Sequence, residues 1–248
     1  MPTGLGDEVL WLSATNDNTG SSTAFADQSG NGNNGTANNG VLVVTDSGEG
    51  GSYAYDFDGV NDYIDLGTST GIGQSSTFSL SIWAKADALA STSALISKYN
   101  RNNNRGFLLR MPSQPTWLTA SSLSNSNFNR TITSSQTVST QTWYHIAATY
   151  DVATDAMELF IDGVSVATGQ AAGTITTTTV AMMIGRYENN EYNGRADDVR
   201  AYNRVLTGEE ITHLATSRGI QGSPGTTNSQ YNAFATHAFK QLFQKSLR

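Results

Sequence analysis

The chain has 248 residues, a formal net charge of −7 and no cysteine, with 38% hydrophobic and 14% charged residues. The acidic balance argues against nucleic acid and anionic lipid as partners, because long-range attraction to phosphates needs an excess of positive charge. The lack of cysteine excludes disulfides and thiolate metal sites. No apolar run approaches the roughly 18 residues that a membrane span needs, so we expect no membrane partner.

Short segments that alternate apolar and polar residues, bounded by Gly, Asn, Asp or Ser, run through most of the chain. This pattern is typical of antiparallel strands joined by turns. The predicted strands are 9–12, 41–45, 54–57, 63–66, 78–84, 94–98, 106–110, 117–121, 131–138, 143–150, 156–161, 164–169, 180–185 and 194–202. We therefore expect one all-β domain over residues 1–218, with two antiparallel sheets packed as a jelly-roll sandwich.

Two local signals predict where particular elements begin and end. Asp162 and Gly163 follow an alternating segment and both tolerate positive φ, so the next strand is predicted to fold straight back. Thr207 and Glu210 have the spacing of a capping box, which predicts a short helix from about Gly208 to Thr216.

The composition changes after this helix. Residues 219–230 are predicted to be a linker, because Pro224 lies there among Gly, Ser, Thr and Asn. From 231 to 248 apolar residues recur at three- and four-residue intervals, which predicts an amphipathic helix. This helix either packs back on its own sandwich or docks the chain to a homo-oligomer or a particle. The predicted docking residues are Tyr231, Phe234, Phe239, Leu242 and Phe243.

Several longer motifs resemble a known family. They are DFDGVNDYI at 56–64, FSLSIWA at 78–84, WYHIAATYD at 143–151, LFIDG at 159–163 and GRADDVRAYNRVLTGEEI at 194–211, preceded by SGNGNNGT at 29–36. In this order and spacing they resemble laminin G-like modules of the concanavalin A-like lectin-glucanase superfamily, over roughly residues 5–215. The resemblance implies a sandwich of two curved antiparallel sheets. It also implies carbohydrate or protein binding, often tied to one calcium ion.

Many proteins of this fold are glycanases, so catalysis needs to be weighed. Retaining glycosidases of this type carry Glu-x-Asp-x-(x)-Glu on one inner strand, where alternation puts both acids on one face. The sequence has no such motif, and the nearest pair, Glu188 and Glu191, is spaced for opposite faces of a strand. A nucleophile-elbow pattern at 67–71 lies between two short strands instead of before a helix. The three histidines lack metal-ligand spacing, and we predict that the protein is not an enzyme.

The resemblance also implies a place for calcium, between the amino-terminal loop and an acid of the last strand. Calcium takes about six to eight oxygen ligands, which a glycine-rich loop and paired carboxylates can supply. The predicted ligands are Asp27, Asn31, Asp197 and Asp198. In the alternative interpretation, Asp27 caps a turn and one of the paired acids bonds Arg200 or backbone amides.

Sugar recognition needs a flat aromatic face with amides or acids nearby. Two loop regions offer this mixture, although both fit a solvated rim as well. The predicted ligand-binding residues are Tyr99, Asn100, Arg101, Asn103 and Trp117 in the first region and Tyr187, Asn190 and Tyr192 in the second.

The sequence thus predicts a non-catalytic recognition or adhesion module that binds glycans or a surface glycoprotein and is stabilised by calcium. The alternative is a virion structural protein, such as a phage capsid decoration or tail-associated adhesin, that docks through residues 231–248. A divergent polysaccharide hydrolase is a third hypothesis. We expect an extracellular or virion-surface location, although no signal peptide is visible at the start of the sequence.

Overall fold

The computed structural model of the protein describes residues 5–17, 23–46, 53–73, 76–90, 93–100, 105–120, 130–171, 175 and 180–216, with the backbone alone for residues 100, 105 and 117–120. In chain order the strands are β1 (Leu10–Leu12), β2 (Ala24–Phe25), β3 (Gly35–Asn38), β4 (Leu42–Thr45), β5 (Tyr53–Asp58), β6 (Tyr63–Asp65), β7 (Phe78–Ala86), β8 (Ala94–Asn100), β9 (Arg105–Arg110), β10 (Thr116–Ala120), β11 (Arg130–Thr133), β12 (Tyr144–Asp151), β13 (Ala156–Ile161), β14 (Val164–Gln170), β15 (Met183–Ile184), β16 (Arg186–Tyr187), β17 (Asn190–Glu191) and β18 (Asn193–Tyr202). A 3₁₀ turn (Ala14–Asn16) follows β1, and helix α1 (Gly208–Thr216) follows β18. Within these ranges, no helix is long and apolar enough to cross a membrane.

The strands form two antiparallel sheets that face each other. Sheet A has the order β14-β13-β12-β7-β18-β5-β4, with β1 also paired to β18. Sheet B has the order β11-β10-β9-β8-β15-β6-β3-β2, and β16 pairs with β17 as a separate hairpin. Inner side chains of the two sheets meet in the core, where the ring of Phe78 lies 4.9 Å from that of Phe107. The predicted all-β sandwich of jelly-roll type is confirmed.

Both local signals read from the sequence are confirmed. Strand β13 ends at Ile161 and β14 begins at Val164. The two residues between them, Asp162 and Gly163, have φ values of 50° and 80°, as a tight hairpin of right-handed twist requires. Helix α1 spans the predicted residues, Gly208–Thr216.

The capping box of α1 gives a prediction for stability. The Glu210 amide donates to Thr207 Oγ1 at 3.2 Å, and the Thr207 amide donates to Glu210 Oε2 at 2.8 Å. Replacing Thr207 by Ala leaves one helix amide without its acceptor, so we expect a loss of about 1 kcal/mol in unfolding free energy. Urea denaturation checks this. Glu209→Gln, at an exposed position in the same first turn of α1, is the control, and an equal loss in both variants would contradict a capping role.

Four short strands were missed by the hydrophobic alternation: β2, β3, β16 and β17. Strand β3 begins inside the Gly- and Asn-rich segment that the sequence predicts to be a loop. Its Gly35 is required by packing, because a Cβ there would lie 2.5 Å from Ile64 Cγ2. A strand built from small and polar residues carries too little apolar pattern to be recognised from its own sequence.

The two outer faces of the sandwich differ. On sheet A, helix α1 covers the sheet with a buried cluster that consists of Ala147, Phe160, Tyr202, Leu206, Ile211 and Leu214. On sheet B, the β16–β17 hairpin lies against the outer face, where Ser97 Oγ of β8 donates to the Arg186 carbonyl at 2.7 Å. The hairpin therefore brings Arg186 and Tyr187 to the outer face of sheet B.

Candidate functional site

The β16–β17 hairpin gathers residues from distant parts of the sequence on the outer face of sheet B. Arg186 and Tyr187 are neighbours on a strand, so their side chains point to opposite sides. Arg186 reaches Tyr63 on β6, and Tyr187 reaches Tyr99 on β8. We call the surface formed by Tyr63, Tyr99, Arg186 and Tyr187 the hairpin face.

Tyr63 and Arg186 form a cation–π pair on the hairpin face. The guanidinium carbon lies 4.7 Å from the centre of the Tyr63 ring, which is within cation–π range. Arg186 is held there by an ion pair with Glu191 Oε1 at 3.5 Å and by a hydrogen bond to the Glu188 carbonyl. Its Nη2 also donates to Asn189 Oδ1 at 3.4 Å. A partly exposed ring and a planar guanidinium thus stack beside an amide and a carboxylate.

The sequence interpretation missed both members of this stack. Tyr63 alternates with the core residue Ile64, so an outward-facing aromatic ring was readable from the strand pattern. The position of Arg186 could not be predicted from the strand pattern. It depends on how the β16–β17 hairpin packs on sheet B, where Arg186 contacts Tyr63 of β6. The stack joins residues 123 positions apart, counted from their numbers.

Tyr99 and Tyr187, predicted in two separate loop regions, are brought together. Their ring centres lie 5.7 Å apart in an edge-to-face arrangement, and they form a small buried cluster with Ala94 and Leu108. With exposures of 7% and 6%, these rings mainly pack the hairpin against sheet B. A ligand role for them stays a prediction.

The other ligand-binding predictions have different outcomes. Tyr192 is 0% exposed and its ring lies 6.0 Å from Phe57 in the core, so its burial contradicts direct contact with a ligand. The reason is that Tyr192 leads into β18 and faces the sandwich interior. Asn190 is partly exposed and its Nδ2 donates to the Tyr187 carbonyl at 3.3 Å, which closes the hairpin. Its ligand role stays a prediction.

Some predicted residues lie outside the part of the chain that the structure describes. These are Arg101 and Asn103, the side chains of Asn100 and Trp117, and the docking residues Tyr231, Phe234, Phe239, Leu242 and Phe243. Their roles, and the predicted linker and terminal helix, stay predictions.

The loop that holds the predicted calcium ligands Asp27 and Asn31 lies along the edge of β1 that is not paired with another strand. Asp27 Oδ1 accepts the amides of Trp11 and Ser29 at 2.9 and 3.0 Å, and its Oδ2 accepts the amide of Asn33 at 2.9 Å. Asn31 Nδ2 donates to the Glu8 carbonyl at 2.9 Å. Strand β1 pairs with β18 along one edge, and the loop supplies hydrogen-bond partners to backbone groups along its other edge.

The two predicted calcium ligands of β18 are also engaged by the protein. Asp197 Oδ1 accepts the Ala14 amide at 3.1 Å. Asp198 accepts Trp11 Nε1 at 2.7 Å and two guanidinium nitrogens of Arg200 at 2.8 and 2.9 Å. Among the described residues, no group of three or more Asp, Glu, His or Cys side chains is arranged to hold a metal ion. The four predicted ligands do not fit one shared site, and calcium binding stays a prediction from the resemblance.

The carboxylates on the hairpin do not resemble a glycosidase pair. Glu188 occupies the turn with a φ of 55°, whereas Glu191 lies on β17 and pairs with Arg186. Retaining glycosidases hold their two acids about 5–5.5 Å apart across the scissile bond. The engagement of Glu191 by Arg186 fits a positioning role better than proton transfer.

Comparison with known proteins agrees with this architecture. A family model described as the concanavalin A-like lectin/glucanases superfamily matches residues 58–212. Because the match covers more than half of the chain, the protein belongs to this superfamily, as its motifs predicted. A search of curated proteins finds no match.

Solved structures share the fold at low identity. Domain 4 of AbnA, a GH43 extracellular arabinanase from Geobacillus stearothermophilus, in complex with arabinotriose, is 20% identical with a TM-score of 0.65, covering 84% of this chain and 98% of that one. The binding domain of Paraclostridial Mosquitocidal Protein 1 is 19% identical with a TM-score of 0.66, covering 85% and 52%. The botulinum neurotoxin serotype D ligand binding domain in complex with N-acetylneuraminic acid is 17% identical with a TM-score of 0.63, covering 85% and 50%. This chain thus spans about half the length of the two toxin domains, and the likeness shows a common fold.

Proposed function

We propose that the protein is a non-catalytic recognition module that binds glycans through the hairpin face. The observation that carries this proposal is the stack of Tyr63 and Arg186 on the open side of sheet B. A sugar ring packs its C–H face against an aromatic ring, while its hydroxyls take hydrogen bonds from neighbouring polar groups. Asn189 and Glu191 supply such groups beside the stack.

Two of the similar structures support carbohydrate as the ligand class. The arabinanase domain is described with arabinotriose and the neurotoxin domain with N-acetylneuraminic acid. The shared sandwich provides this chain with the same kind of scaffold, whereas the binding residues must come from its own surface. The virion alternative stays a prediction from the sequence.

Replacing Tyr63 by Ala tests the proposal. Wild-type protein is first screened on an array of neutral and acidic glycans, and the affinity for the strongest ligand is then measured by isothermal titration calorimetry. We expect Tyr63→Ala to bind about tenfold more weakly, because the ring face and the support for Arg186 are lost together.

The matched control is Tyr53→Ala, which truncates another partly buried tyrosine on β5 of sheet A. It is expected to bind within about twofold of wild type while sharing any general cost in stability. A wild-type protein that binds nothing on the array would refute glycan recognition. If Tyr63→Ala and wild type bound the glycan with equal affinity, the binding site would lie outside the hairpin face.

A further inference from the structure

One end of sheet B comes from a stretch of sequence that has no acidic residue. Between Asp87 and Asp151 there is no Asp or Glu, although the chain as a whole carries a net charge of −7. This stretch contains the cations Lys98, Arg101, Arg105, Arg110 and Arg130. It also supplies β8, β9, β10 and β11, which are consecutive neighbours in sheet B. The stretch that forms these four strands therefore carries cations but no acid of its own.

Cations elsewhere in the described structure are mostly neutralised by acids. Ion pairs with carboxylates are formed by Lys85, Arg186, Arg195, Arg200 and Arg204. Three cations with described side chains form no ion pair within the described ranges. Lys98 is fully buried and donates to the Thr68 carbonyl, Arg130 is exposed, and Arg110 is partly buried.

Arg110 lies on the outer face of sheet B beside the hairpin. It pairs in register with Ala94 and Thr116, and alternation places it on the same face as Leu108, which packs with Tyr187. Its hydrogen bond within the described structure runs from Nε to Thr116 Oγ1 at 3.2 Å. Burial lowers the pKa of Arg110, and the nearby Tyr187 phenol opposes this shift.

Among the described residues, no carboxylate forms an ion pair with this guanidinium. Glu49 is the one acidic residue in the parts of the sequence that the structure does not describe, and it belongs to the segment between β4 and β5. A guanidinium stays charged in a protein, and partial burial without an opposite charge costs free energy. The complement that relieves this cost is an anion from outside the chain.

We infer that Arg110 is a subsite for the anionic group, a carboxylate or a sulfate, of an acidic glycan. The inference rests on the proposed function, since the hairpin face binds the uncharged part of the same ligand. A guanidinium binds a planar carboxylate or a sulfate with two parallel hydrogen bonds. Thr116 places a hydroxyl group beside it, since Arg110 Nε donates to Thr116 Oγ1.

The distribution of apolar residues favours a glycan over a lipid surface. A membrane-binding face needs exposed apolar side chains beside its cations. Among the described residues, the large exposed hydrophobic side chains are Leu42, Val60, Val164 and Val205. None of these four lies on β8, β9, β10 or β11.

The test compares glycans that differ by one kind of acidic group. Sialyllactose against lactose and trigalacturonate against galactotriose are titrated by calorimetry into wild-type protein and Arg110→Gln. We expect wild type to bind the acidic member at least about tenfold more tightly, as a charge-assisted pair of hydrogen bonds allows. Arg110→Gln is expected to lose this preference and to keep its affinity for the neutral member.

Two further variants make the result specific. Arg130→Gln removes the same charge from the same acid-free stretch at an exposed position, and it should keep the preference within about threefold. Arg110→Lys keeps the charge and should retain part of the preference for the acidic glycan. This variant still tests the subsite if Arg110→Gln is poorly folded.

Each unfavourable outcome has a separate meaning. Equal affinity of wild type for both members of every pair overturns the anionic subsite and leaves glycan binding intact. Equal losses in Arg110→Gln and Arg130→Gln assign the preference to overall charge and overturn the role of Arg110. Arg110-dependent binding to phosphatidylserine vesicles without binding to acidic glycans replaces the glycan by a lipid headgroup. Binding to no glycan removes the proposed function and this subsite together.

Discussion

Replacing Arg200 by Met is expected to lower the free energy of unfolding by about 3–5 kcal/mol, because it leaves buried carboxylates without their counter-charge. Arg200 is 1% exposed. Its guanidinium forms ion pairs with Asp198 at 2.8 Å and with Glu8 at 3.2 Å, and it lies 4.2 Å from the Trp11 ring. These contacts connect β18 to β1 and to the segment before it. Methionine preserves much of the volume but none of the hydrogen bonds.

Urea denaturation at neutral pH measures this effect. Arg195→Met is the control, because Arg195 and Asp56 are partly exposed and the buried Asp46 keeps its ion pair with Lys85. It should cost less than about 1 kcal/mol. A loss in Arg200→Met no larger than in Arg195→Met would contradict the structural importance of the buried network.

A double variant separates lost pairing from lost packing. Asp198 has a φ of 49°, which Asn also tolerates, so Asp198→Asn removes its charge without new backbone strain. In the Arg200→Met background this change should recover part of the lost stability, since one unpaired buried charge disappears. Strictly additive losses would mean that the two side chains do not interact.

The second large effect is a loss of stability in acid caused by His145. This residue is buried on β12, and neither ring nitrogen has a hydrogen-bond partner within the described structure. Burial, together with the positive charge of Arg200, lowers the pKa of His145 to about 3. In the unfolded chain the pKa is about 6.5, so the unfolded state binds a proton at a pH where the folded state does not. Stability therefore decreases as pH falls below about 6.5 and this contribution levels off below about 3.

The expected size is about 2 kcal/mol between pH 7 and pH 5 and roughly 4–5 kcal/mol by pH 3, at 1.36 kcal/mol per pKa unit. His145→Leu removes the titrating group and should flatten the decrease between pH 7 and pH 5 by about this amount. At pH 7 the variant should be as stable as wild type or more so, because no hydrogen bond is lost. Urea denaturation at each pH provides the measurement.

His213→Gln is the control for histidine content, since His213 is exposed on α1. Its pH profile should follow that of wild type. A profile of His145→Leu that still parallels wild type between pH 7 and pH 5 would show that other groups cause the acid sensitivity.

Sequence patterns predicted those parts of the fold that depend on residues close together in the sequence. Alternation predicted the long strands, Asp162 and Gly163 predicted the β13–β14 hairpin, and Thr207 with Glu210 predicted the bounds of α1. Each of these features depends on backbone dihedral preferences or hydrogen bonds within a few positions, so the local residues carry the information. The motifs between residues 56 and 211 also indicated the superfamily.

Tertiary structure decided which distant residues meet. Tyr63 reaches Arg186, and Tyr99 reaches Tyr187, because the strand order of sheet B places β6, β15 and β8 side by side. The same holds for Asp198, whose carboxylate could have faced a metal ion or a cation and in fact faces Arg200. Side-chain partners across a sandwich depend on how the strands are ordered and how deeply each residue is buried. Neither quantity is encoded in the spacing of residues along one strand.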